Sequence, residues 1–164
     1  MADQISILRL FRRGMRWVTV QSSLLMGVFM FSYYSITFWY PTFLQEVGRD
    51  SLGYVIAFNL GAIVGMALWG RASETRLGRR GAVSAAAVIG VISIPAYVGS
   101  ASSVGLVTGA LLMGACGAGV WGMAPSYLTE RFPTAVRGVG PGLSYHIGAA
   151  IGAMTPLVLG QLQD

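Results

Sequence analysis

The 164-residue chain is 54% hydrophobic, only 10% charged, and has a mean hydropathy of +0.64. A soluble domain carries roughly 25% charged residues to cover its surface, so an ordinary soluble enzyme and a disordered tail are excluded, and a single cysteine, Cys116, excludes a disulfide-built secreted domain. The formal charge of +5 rests on arginine with no lysine, which we read as a genomic base-composition bias; these arginines flank apolar runs, so topology explains them better than nucleic acid does.

Such a composition describes an all-α, polytopic membrane helix bundle in contact with a lipid bilayer. A basic segment, 1–16, precedes a bundle over 17–164. Within it, Ile5 to Arg16 either form a short helix on the inner membrane face or serve as a charged flank. Arg9, Arg12, Arg13 and Arg16 follow helical spacing, with Leu8 and Phe11 on another side.

Five apolar segments then follow, at 17–40, 52–69, 82–99, 102–128 and 139–162. A bilayer core about 30 Å thick needs roughly 20 helical residues, and helix is the one state that leaves no backbone group unpaired in lipid for segments like these. The first segment exceeds the apolar length of a signal peptide, and no small-residue cleavage site follows it. Ten of the 11 arginines fall before the first span, between the second and third, or between the fourth and fifth; only Arg49 lies on the other side. The positive-inside rule therefore places the N-terminus in the cytoplasm and Asp164 outside.

Small residues recur on these helices. Gly61 with Gly65, Gly105 with Gly109, and Gly148 with Gly152 form Gly-x-x-x-Gly pairs, and Gly114, Gly117, Gly119 and Gly122 add a glycine run. Such spacing lets backbones approach where no hydrophobic force drives association. Polar groups inside the spans are few. Gln21 and Asn59 either face a cavity and a substrate or make an interhelical hydrogen bond. His146 is an ionisable group a few residues inside the fifth span; it either carries a proton or binds a carboxylate, or is a neutral histidine bonded to a neighbouring helix.

Two loops on the arginine-rich side narrow the reading. One is Gly70-Arg71-Ala72-Ser73-Glu74-Thr75-Arg76-Leu77-Gly78-Arg79-Arg80; the other runs from Tyr127-Leu128-Thr129-Glu130-Arg131-Phe132-Pro133-Thr134-Ala135-Val136-Arg137 through Gly138-Val139-Gly140-Pro141-Gly142. At these residues the chain resembles the major facilitator superfamily of secondary transporters. The first loop is similar to the family's Gly-x-x-x-Asp-Arg-x-Gly-Arg-Arg signature, with Glu74 for the aspartate and one extra residue before the glycine. The second is similar to the Pro-Glu-x-Phe-Pro-Thr-x-x-Arg-Gly-x-Gly stretch of its sugar and organic-acid branches, with Thr129 in place of the leading proline. Met30 to Pro41 also resembles the start of the second half of bacterial organic-acid permeases, in the proton-symporter branch of the sialate and lactate permeases.

The resemblance implies helices seven to eleven of a twelve-helix transporter in a bacterial inner membrane, acting with an N-terminal half and a final helix. It implies that a small organic acid or sugar acid moves with protons by alternating access. Glu74 would meet the positive N-terminal end of the fifth span, while Arg76, Arg79 and Arg80 would pair with Glu74 or Glu130, holding the inner side shut; Arg137 belongs to the same second-loop signature. The other reading of these charges is an interfacial anchor. Tyr33 and Tyr34 resemble paired tyrosines over the cavity of sugar-type members, although aromatic residues near span ends also form interface belts, as expected of Trp39 and Tyr40. Trp121 followed by Pro125 resembles a cavity-wall arrangement, with core packing as the alternative. At His146 similar permeases often carry Tyr-Asn, and Ala149 and Ala150 stand where some relatives place an arginine.

No metal cluster, cofactor loop or nucleophile with an aligned base is present in the sequence, so neither enzyme chemistry nor a cofactor is expected. A channel is disfavoured by the lack of a carbonyl-filter repeat and of a mid-span acid. The competing class is a non-transporting half that associates with other membrane helices through its glycine faces.

Overall fold

The computed structural model describes residues 10–161, and among them the regular structure is entirely helical. Four helices are long and apolar enough to cross a membrane: Ser51–Ser73, Gly78–Gly99, Ser103–Arg131 and Gly140–Gln161. A fifth long helix, α1 (Arg16–Phe38), has the length of a span at 23 residues. Gln21, Ser22, Ser23, Tyr33 and Tyr34 make it more polar than the other four. Next come α2 (Tyr40–Glu46), α3 (Ser51–Ser73), α4 (Gly78–Gly99) and α5 (Ser103–Met113). The helix of α5 continues through a π-helical turn (Gly114–Ala118) and a 3₁₀ turn (Gly119–Gly122) into α6 (Ala124–Arg131). A 3₁₀ turn (Thr134–Val136), α7 (Gly140–Gly152) and α8 (Thr155–Gln161) complete the described chain.

Large apolar side chains cover the outside of these helices. Leu24, Val28, Ile63, Val91, Ile92, Val104 and Leu157 are all more than half exposed. In water such a surface would be a liability; against hydrocarbon it is the solvent-matched face.

Local chemistry sets the breaks. Pro41 in the first turn of α2 has no N–H to continue α1, and the chain bends at Trp39. This bend turns Tyr40 inward. It is 4% exposed and stacks on Tyr97 at 3.9 Å, so it is a core residue and not part of an interface belt. Asp50 caps α3 by accepting from the Leu52 N–H at 3.3 Å, and Ser102 caps α5 by accepting from Gly105 N–H at 3.0 Å. Gly78 opens α4 at φ +66°, a backbone conformation that favours glycine.

The chain divides into two compact units, residues 36–124 and residues 10–35 with 125–161. In the first, α3 packs along α5 and its π and 3₁₀ continuation, backbone on backbone. A Cβ on Gly61 would strike the Leu111 backbone, one on Gly65 the Ala115 backbone, and one on Gly119 the Gly65 backbone. Gly114 is seated equally closely on Phe58, and Gly122 on Met66. Gly109 lies against the Ala96–Tyr97 backbone of α4. In the second unit Gly148 and Gly152 of α7 lie against Met26 and Met30 of α1, and Ile151 fills the space beside Gly27. Both contact runs advance in the same direction along the two helices, so α3 and α5 run parallel, as do α1 and α7. Alternate crossings of one membrane have that relation.

Of the expected interfacial helix at Ile5 to Arg16, residues 5–9 lie outside the described residues, and so does the C-terminal Asp164. From 11 to 15 the chain forms turns, not helix, with Met15 N and Arg16 N both donating to Arg12 O, at 2.9 and 3.0 Å. Leu10 is fully buried in a small core with Phe132 and Val136, flanked by Met15, Val18, Val139 and Leu143. Thr19 Oγ1 donates toward Leu10 O at 3.2 Å and lies equally near Met15 O.

Candidate functional site

Six residues were expected to face a substrate, and the structure places them as follows. Gln21, on the exposed side of α1, accepts a 2.7 Å hydrogen bond through Oε1 from Arg131 Nη2 at the end of α6. Arg131 Nη1 donates to Tyr127 Oη at 2.9 Å, and the guanidinium lies 5.6 Å from that ring's centre. Gln21 is thus one end of a three-residue polar chain. Arg131 and Tyr127 were not among the expected site residues, because nothing in the local sequence shows that two segments 110 residues apart meet.

Tyr33 and Tyr34 are half-buried, with rings 5.7 Å apart and tilted by 59°. Tyr34 closes on Gly152, where a Cβ would come within 3.2 Å of its Cδ2. His146 is exposed on α7 with its ring edge-on to Tyr145 at 5.7 Å. Two residues earlier, Ser144 is fully buried and its Oγ has no hydrogen-bond partner.

Asn59 is exposed on α3, and its Nδ2 donates to Val55 O at 2.8 Å within the same helix. The expected interhelical bond is therefore not made by its donor. A side-chain amide that turns back on its own helix satisfies itself locally. Trp121 is half-buried in the 3₁₀ turn, held between Gly119 and Gly122 where these meet α3.

The π turn just before it has a partner that sequence reading did not single out. Trp69 of α3 donates from Nε1 to Ala115 O at 2.9 Å. A π turn lengthens the i→i+4 ladder by one residue and leaves a carbonyl in need of a donor; here an indole from the neighbouring helix provides it. Such turns inside helices occur frequently at functional sites. Tyr97 was likewise missed. Its hydroxyl donates to Ile36 O at 3.1 Å while its ring stacks on Tyr40.

The charged loop residues divide between anchored and solvent-facing groups. Glu74 is exposed and caps α3 at its C-terminal end. Arg76 and Arg80 are exposed, whereas Arg79 is half-buried and donates to Ser73 Oγ at 3.3 Å. Thr75 folds the loop, its Oγ1 accepting from Leu77 N at 3.3 Å, before Gly78 starts α4. In the other loop Glu130 is exposed, and Arg137 Nε donates to Phe132 O at 3.3 Å. Phe132 is 1% exposed and lies beneath Gly140, where a Cβ would collide with its ring. Across the chain, Arg49 Nη1 and Nη2 reach Ser103 Oγ at 3.0 Å and Ala101 O at 2.6 Å, tying two loops together.

Comparison with known proteins fits this helical layout. The chain is 29% identical over 140 residues to a cis,cis-muconate transport protein of Acinetobacter baylyi, covering 83% of this chain and 34% of that protein. It is 31% identical to a niacin transporter of the same organism, over 79% of this chain and 30% of the relative. It is 30% identical to a carboxylic acid transporter protein homolog of Saccharomyces cerevisiae, over 76% of this chain and 21% of the relative. The chain thus spans about a third or less of the length of these relatives. No solved structure gives a significant match. The sequence profile of the Major Facilitator Superfamily matches residues 4–156. With its apolar, membrane-length helices, this multi-pass membrane chain belongs to the major facilitator superfamily.

Proposed function

We propose that the chain forms part of a secondary active transporter for a small organic acid or sugar acid, working with further membrane helices such as those that make up the rest of its longer relatives. The observation that carries this reading is the chemistry shared by the relatives' names: muconate, niacin and carboxylic acids are all organic acids. Proton symport with alternating access is the proposed mechanism, in a bacterial inner membrane with the N-terminus cytoplasmic and the C-terminus outside. Substrate contacts are proposed for Gln21, Tyr33, Tyr34, Asn59, Trp121 and His146. The exposure of Asn59 and His146 on their helices supports their availability to a ligand. For Gln21 to bind substrate, its hydrogen bond to Arg131 must be exchanged for a substrate oxygen, which would free a guanidinium for an anion at the same place.

The decisive experiment is uptake of a labelled organic-acid panel by cells expressing these 164 residues alone and by cells expressing them within the full chromosomal reading frame. Saturable, protonophore-sensitive uptake is expected only from the complete frame. Uptake by the 164 residues alone would overturn the partial-transporter reading, and no uptake from either would favour a non-transporting bundle.

Gating is proposed for Glu74, Arg76, Arg79, Arg80, Glu130 and Arg137. Glu74 at a helix end can interact with the positive N-terminus of another helix, which favours negative charge by about 0.3–1 kcal/mol at exposed positions. Removing the charge in Glu74→Gln is expected to increase cysteine-accessibility labelling from the cytoplasmic side; unchanged labelling would remove the latch.

A further inference from the structure

The segment before α1 and the first residues of α1 present three arginines and two aromatic rings. Leu10 is fully buried against Phe132 and Val136, which pins the segment to the inner loop. Thr19 reinforces that anchor through Leu10 O. The tight turn that follows, closed by two amides on Arg12 O, leaves Phe11, Arg12, Arg13, Arg16 and Trp17 all exposed. Phe11 is 55% and Trp17 62% exposed, and the Arg16 guanidinium lies 5.9 Å from the Trp17 ring centre. Among the described residues no carboxylate pairs with Arg12, Arg13 or Arg16. Three positive charges without acids, beside exposed aromatics at the start of a membrane-length helix, match the charge and amphipathic depth of a phospholipid headgroup region.

We propose that Arg12, Arg13 and Arg16 bind the phosphate of an anionic phospholipid of the adjacent leaflet, with Phe11 and Trp17 seated at the headgroup boundary. A buried Leu10 anchors this turn at one end, so the exposed arginines are presented at less ordering cost than on a flexible arm. The same anchor ties the occupied lipid to the loop that carries Phe132 and Val136. The site rests on the membrane reading of the fold, and lipid retention is measured independently of uptake, so failure of one is visible apart from failure of the other.

The test uses the full-length protein purified in neutral detergent and offered equal amounts of phosphatidylglycerol and phosphatidylcholine, with bound lipid counted by native mass spectrometry. Each arginine near an anionic surface contributes roughly a fivefold preference, so wild-type protein is expected to retain phosphatidylglycerol by about tenfold or more. Raising the ammonium acetate concentration should abolish the preference, since exposed charges are screened. The variant R12Q/R13Q/R16Q is expected to retain both lipids equally while keeping its helical circular dichroism. Equal retention by wild type, a preference insensitive to salt, or an undiminished preference in the triple variant would each overturn the proposal. The salt arm holds even if that variant fails to fold.

Discussion

At the scale of single residues, several polar groups inside the apolar helices satisfy themselves locally, whereas Ser22, Ser23, Ser144 and Thr155 are buried without a hydrogen-bond partner. Asn59 donates to Val55 O, Ser35 to Phe31 O, Ser93 to Gly90 O and Thr108 to Val104 O, each within its own helix. A polar residue in a span is therefore weak evidence of a substrate contact until its partner is known. The glycines carry sharper information. Gly65 lies so near Ala115 that a Cβ would be 2.6 Å from its Cα, whereas nothing lies within 4 Å of the same position at Gly53 in the same helix. Gly65→Leu is expected to destabilise the bundle by about 1–3 kcal/mol through overpacking. Gly53→Ala is expected to be neutral or slightly stabilising, because alanine loses less backbone entropy in a helix. Thermal unfolding of the two variants in detergent separates these outcomes; equal midpoints would contradict the packing.

At the scale of elements, the fourth span is the most irregular. Its α, π and 3₁₀ segments follow one another from Ser103 to Gly122 before α6 begins. The run Gly114 to Gly122 holds four glycines, so the helix has few side chains to enforce one ladder, and contact with α3 decides its path. Trp69 then fixes the π turn through Ala115 O. Trp69→Phe keeps the ring but removes the donor and is expected to cost about 1 kcal/mol. Cys116, buried at 6% exposure in the π turn, is a built-in reporter. Its labelling by a thiol reagent should accelerate about fivefold in Trp69→Phe, the factor that 1 kcal/mol gives for a local opening. An unchanged rate would mean the hydrogen bond does not hold the turn closed.

At the scale of the whole molecule, two parallel helix contacts stand out: α3 with α5, and α1 with α7. Both are lined by glycine, and both suit a bundle whose elements associate by close packing in lipid. For the proposed proton coupling His146 is the candidate, because histidine is the side chain that ordinarily exchanges a proton near neutral pH. In the full-length protein, a proton role for His146 predicts that His146→Asn flattens the pH dependence of uptake. An unaltered pH profile would dismiss the proton role and leave the exposed His146 as a surface group of α7.

Much of this protein was legible from sequence because the bilayer leaves few choices. Apolar length, arginine placement and glycine spacing point to an all-α membrane bundle, and the two arginine-rich loops point to the family, since each of these signals is carried by residues close together in the chain. What tertiary structure alone decided are the partnerships between distant residues. Gln21 meets Arg131, Trp69 meets Ala115, Tyr97 meets Ile36 and Tyr40, and Leu10 is buried beneath Phe132. In these helices many different faces are apolar enough to pack, so periodicity does not select the contacts. Selection comes from backbone proximity at glycine and from the need to satisfy each buried donor and acceptor. That is why the fold class could be read in order along the chain, whereas Tyr40 became a core residue only once the helices were assembled.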